Sequence, residues 1–139
     1  MNRNLSSNRA RTLASLGICG LAVIGAAIVG IDDNPPGLVL AYVAALFFII
    51  AFVHSWRSKR QFGMLAIASL LGFVVFAFIH NVFEVIASNM TAGLLKTGLE
   101  GVQVAGFILA VLISPAAFFV GLIGVLVVYI YKLFQKRQT

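Results

Sequence analysis

"FGMLAIASLLGFVVFAFIHNVF", residues 62–83, decides the fold. It holds no lysine, arginine, aspartate or glutamate, and its polar side chains are Ser69, His80 and Asn81. A helix needs roughly 20 mostly apolar residues to cross a hydrocarbon core of about 30 Å, and this run suffices. Its residues do not alternate as barrel strands would. In lipid the backbone must satisfy its own hydrogen bonds, so a helix is the spanning form.

Three similar runs flank it. Leu13–Ile31 and Gly37–Val53 come before, and Val102–Tyr131 follows. The expected architecture is an all-α integral membrane protein. It is one domain over residues 1–139, a four-transmembrane-helix bundle with helices at about 13–31, 36–55, 62–83 and 102–131. Composition agrees: 61% of the 139 residues are hydrophobic and 10% are charged. Soluble domains average about 45–50% and about 25%. The first run's apolar core exceeds the usual 7–15 residues of a signal peptide, so a retained helix is expected.

The connections have local causes. "DDNPPG" separates the first two runs; Asn34 is expected to cap the second helix, with Pro35 in its first turn. "HSWRSKRQ" makes a tight connection to the third run. Ser114-Pro115 falls within the fourth run, where proline removes a backbone hydrogen bond and predicts a kink. Residues 85–100 are compatible with a short interfacial helix on the outer leaflet, since Phe83, Ile86, Ala87, Met90 and Leu94 can share a face. An extension of the third helix is the competing reading.

Charge sets the topology. Arg3, Arg9 and Arg11 precede the first helix, Arg57, Lys59 and Arg60 follow the second, and Lys132, Lys136 and Arg137 follow the fourth. Four alternating spans put these on one side, with Trp56, Tyr129 and Tyr131 as interfacial anchors. Lys96 and all four acids, Asp32, Asp33, Glu84 and Glu100, fall on the other. The positive-inside rule then places both termini in the cytoplasm of a bacterial or archaeal inner membrane. The net charge of +6 is split into clusters beside apolar runs, so it reads as a topology signal and not as a nucleic-acid footprint.

The candidate site is an outward-facing proton or cation site of Asp32, Asp33, Tyr42, His80 and Glu84. His80 and Glu84 are four residues apart and share a helical face. Ionisable groups in a spanning helix are functional candidates by default. The pair reads either as a proton-linked or metal-binding face, or as an interfacial pair whose histidine bonds a neighbouring helix. Asp32 and Asp33 precede the second helix, whose dipole favours carboxylates, or they form a solvated turn. No cofactor or metal is assigned.

Several classes are excluded. His54 lies at the opposite end from His80, so the two cannot share one haem or zinc within a subunit. The single cysteine, Cys19, excludes a thiol oxidase that works through cysteine pairs. Small multidrug-resistance transporters share the size and plan but carry a glutamate in the first helix, and no acid lies between Leu13 and Ile31. No GxSxG elbow, phosphate loop or dinucleotide fingerprint occurs.

Small residues are expected to pack the helices within the subunit: Gly17, Gly20, Ala22, Gly25 and Ala26 on the first, Ala68, Ser69 and Gly72 on the third, Gly121 and Gly124 on the fourth. The functional expectation is a non-enzymatic accessory or interaction subunit. Its partners are the bilayer and either further copies or another membrane protein, with no nucleic acid. The alternative is an oligomeric channel or transporter with the polar cluster at its mouth.

Overall fold

The computed structural model describes residues 2–31 and 34–136. Helix α1 spans Asn2–Val29, α2 Pro35–Val53, α3 Lys59–Ser88, α4 Leu94–Phe107 and α5 Ser114–Lys136. A π-helical segment, Ile108–Ile113, joins α4 to α5, so residues 94–135 form one long helix. Four helices are thus long and apolar enough to cross a membrane: Ser7–Val29, Pro35–Val53, Lys59–Ser88 and Leu94–Gln135. Among the described residues there is no strand.

The ends follow from local chemistry. Gly30, at φ 85°, ends α1 in a left-handed conformation that glycine adopts without strain. Gly37, in the first turn of α2, packs against the Gly30 carbonyl so closely that any Cβ would collide with it. Asn34 stands before α2 but does not cap it through its side chain; its Nδ2 instead donates to the Val29 carbonyl at 2.8 Å, satisfying the end of α1. Pro35 sits in the first turn as expected. Ser58 caps α3, its hydroxyl accepting from the Arg60 N–H at 3.3 Å.

Residues 85–100 do not form a helix of their own. α3 runs through Ser88, residues 89–93 turn, and α4 begins at Leu94. Asn89 Nδ2 and Ser88 Oγ both donate to the Val85 carbonyl, at 2.7 and 2.9 Å, closing the C-terminus of α3.

Packing makes an open bundle of two hairpins. Among the described residues α1 packs on α2 alone, and α3 packs on α4, the π segment and α5. α2 touches α5 and the π segment and so joins the hairpins. The core holds Ala26 of α1, Ala41, Ala45, Ile49 and Val53 of α2, and Phe62, Leu112, Ala116 and Ala117 beyond them. The small residues divide accordingly. Ala22, Ala26, Ser69 and Gly121 are buried, whereas Gly17, Gly20 and Ala68 are exposed. With one neighbour, α1 can cover only one stripe, so Gly17 and Gly20 face away from the rest of the chain.

The proline does bend the long helix's hydrogen-bond pattern. The π segment ends immediately before Ser114-Pro115. There the Ser114 N–H reaches back five residues to the Leu109 carbonyl, and its Oγ donates to the same oxygen at 2.7 Å. Proline at 115 has no N–H for the Val111 carbonyl, so the ladder is relaxed where it would otherwise break.

Candidate functional site

His80 lies in the last third of α3, where α3 and α4 approach closely. A Cβ on Gly106 would stand 3.3 Å from both the His80 N and the Phe76 carbonyl. This approach lets the His80 ring reach the backbone of α4: Nδ1 lies 3.1 Å from the Gln103 carbonyl. A carbonyl only accepts, so Nδ1 carries the hydrogen. Nε2 faces Glu84 Oε2 at 3.6 Å, within ion-pair range when the ring is protonated. The Phe107 ring packs at 5.3 Å between centroids, tilted by 53°. The His80 side chain is 23% exposed and that of Glu84 55%, so this pair sits at a surface and not in a sealed interior. The arrangement fixes the imidazole on a backbone acceptor through Nδ1 and turns Nε2 toward a carboxylate.

Tyr42 does not join this pair. Its hydroxyl donates to the Val111 carbonyl at 3.1 Å, linking α2 to the π segment. Val111 lies four residues before Pro115, so the phenol supplies a donor to the carbonyl that lacks the proline N–H. Val111 and Gln103 are separated by about 12 Å of helix, at roughly 1.5 Å per residue. Tyr42 and His80 therefore act at different depths. Asp32 and Asp33 lie outside the described residues. Of the five candidates, the structure brings together His80 and Glu84.

Charged groups outside this pair sort by end. At the far tip, Lys96 and Glu100 of α4 form an ion pair at 4.0 Å. At the opposite end Thr12 of α1 donates to the Ala51 carbonyl of α2 at 3.3 Å, which sets Arg9 beside His54 and Ser55. Lys59 of α3 stands over the Tyr129 ring of α5 at 4.1 Å from its centroid. Arg57 and Lys132 line one groove between α2 and α5. Arg9, Arg57, Lys59 and Lys132 thus share one end of the molecule. Among the described residues, no three His, Cys, Asp or Glu side chains come together to hold a metal ion.

Two participants escaped the sequence reading, the backbone carbonyls of Gln103 and Val111. The second had a signal: a proline at 115 leaves the carbonyl at 111 without its helical donor. The first had none, because hydropathy does not record which helices touch. No known protein family, curated protein or solved structure matches this chain.

Proposed function

We propose that this chain is a small non-enzymatic integral membrane protein that serves as an accessory or interaction subunit. The observation that carries the reading is a mismatch of length. α2 has 19 residues, about 28 Å at ~1.5 Å per residue, close to a hydrocarbon core of about 30 Å. α3 has 30 residues, about 45 Å by the same rise. The tight 54–58 connection holds α2 and α3 level at the basic end. With α3 upright beside α2, the surplus carries the α3–α4 tip beyond the other surface, in preference to a tilt. There Val85, Ile86, Leu94 and Leu95 stay exposed, Leu94 by 92%. Apolar side chains raised out of lipid and left uncovered favour a protein partner.

By the positive-inside rule both termini lie in the cytoplasm and the α3–α4 tip faces outward, the membrane being the inner membrane of a bacterial or archaeal cell. Single cysteines at Ser55 and at Asn89, in a Cys19→Ala background, test this. Labelling of the first from inside and the second from outside is expected; accessibility of both from one compartment overturns the topology. Purification at native expression in mild detergent tests the function. A stable, stoichiometric membrane-protein partner is expected, and a solitary monomer overturns the accessory role.

A second reading, an oligomeric channel or transporter, draws on the His80–Glu84 pair at 3.6 Å. Reconstituted liposomes with an ion-flux readout test it. Flux abolished by His80→Ala with Glu84→Gln supports a gate, and absence of flux removes the reading.

A further inference from the structure

We propose that the groove between α2 and α5 at the basic end binds an anionic phospholipid, with its phosphate at Arg57 and Lys132 and an acyl chain along the groove wall. The groove has a volume of about 800 Å³. That lies within the roughly 300–1,000 Å³ typical of small-ligand sites. Its wall is apolar, with Leu46 and Ile50 on α2 and Ile123 and Val127 on α5. Its polar residues, among them His54, Arg57, Lys132 and Gln135, cluster where the two helices leave the apolar run. One apolar slot with a cationic mouth matches the shape of an amphiphile whose headgroup carries negative charge.

Charge complementarity names the headgroup. Among the described residues the acids are Glu84 and Glu100, which pair with His80 and Lys96 on α3 and α4. No described Asp or Glu pairs with Arg57 or Lys132. Arg57 is nevertheless positioned: its Nη1 donates to the Trp56 and His54 carbonyls at 3.3 and 3.5 Å, while the residue remains exposed. Arginine suits phosphate because its fork of N–H donors matches the oxygen geometry. His54 lines the same mouth, with its Nδ1 on the Ala51 carbonyl at 3.1 Å and its buried Nε2 without a hydrogen-bond partner.

The protein carries its own reporter. Trp56, the single tryptophan, lines the groove and packs edge-on against Phe62 at 5.5 Å. The experiment measures quenching of Trp56 fluorescence in bilayers containing brominated phosphatidylglycerol or brominated phosphatidylcholine. Both headgroups carry a phosphate, but only phosphatidylglycerol is net negative; two cations facing that net charge predict a preference of roughly 30-fold for the anionic lipid. Arg57→Gln with Lys132→Gln is expected to abolish the preference. Arg11→Gln with Arg60→Gln removes the same charge from exposed sites outside the groove and is expected to leave it within about 3-fold. Competition on the unaltered protein needs no variant: unbrominated phosphatidylglycerol should restore fluorescence, and phosphatidylcholine should not. Equal quenching by the two lipids, as a partner helix or a second copy in the groove would give, overturns the proposal. So does a preference that survives loss of Arg57 and Lys132, or one that falls equally in the control.

Discussion

Beyond the Gly30–Gly37 turn, the helices of the α1–α2 hairpin meet across alanine methyl groups, while those of the α3–α5 hairpin meet across bare backbone. Ala22 and Ala26 of α1 are buried, as are Ala41, Ala44 and Ala45 of α2. A Cβ added to Gly25 would meet only the tip of Leu40, at 3.2 Å, and that flexible side chain can move. On the other side, a Cβ added to Gly121 would fall 2.8 Å from the Ala66 N and 2.9 Å from the Phe62 carbonyl. Backbone cannot step aside as a leucine can. Close approach of this kind is what small residues permit in lipid, where association rests on packing and not on hydrophobic exclusion. Along their helix seams the two hairpins therefore differ in tolerance, and the second is the more rigidly specified; at the Gly30–Gly37 turn the first, too, meets on bare backbone.

Along the helix seams, the contrast breaks most severely at Gly121. Gly121→Val is expected to destabilise the protein by about 3 kcal/mol, the upper range for overpacking, in unfolding titrations from detergent micelles. A change below about 1 kcal/mol would show that the hairpin yields as easily as its neighbour. Gly106→Val should cost about 2 kcal/mol, since its neighbours on α3 stand slightly farther off, at 3.3 Å. It should also detach His80 from Gln103, visible as altered imidazole signals in NMR. Tyr42→Phe, which cuts the tie between the hairpins, should cost about 1 kcal/mol. That penalty should shrink in a Pro115→Ala background, because the restored N–H serves the Val111 carbonyl; an unchanged penalty would show that the phenol does not compensate the proline. Gly25→Ala and Gly20→Val should each stay within about 0.5 kcal/mol of the native protein by the same titration, Gly20 having nothing within 4 Å. Glu84→Gln should also change stability by no more than about 0.5 kcal/mol, because the carboxylate is largely solvated.

The spans, the segregation of charge along the chain and the disturbance at Pro115 were legible because each depends on composition or on one residue's covalent geometry. Helix ends were less so. Hydropathy places the third helix at 62–83, yet it runs over Lys59–Ser88, since Lys59, Arg60 and Gln61 continue a helix begun by the Ser58 cap. The fourth begins at Leu94 and not at 102, because the Lys96–Glu100 stretch is helical though it is not greasy. Within the candidate site, the His80–Glu84 pairing follows from i,i+4 spacing and is written in the sequence. The role of Tyr42 is not. Its partner lies 69 positions away along the chain, and no periodicity carries information across that separation.

The wide turn at Ile108–Ile113 gives this long helix one place that can absorb a change of length. Losing one residue there lets the turn close to ordinary α geometry and leaves the downstream faces where they were. Losing one within Ser114–Lys136 has no such slack: everything beyond it turns by about 100°, the angle per residue of an α-helix, and Lys132 leaves the side it shares with Arg57. Ancestral changes of length should therefore be tolerated in this hexapeptide and in the 89–93 turn, and scarce in the regular rod between Gly121 and Lys132.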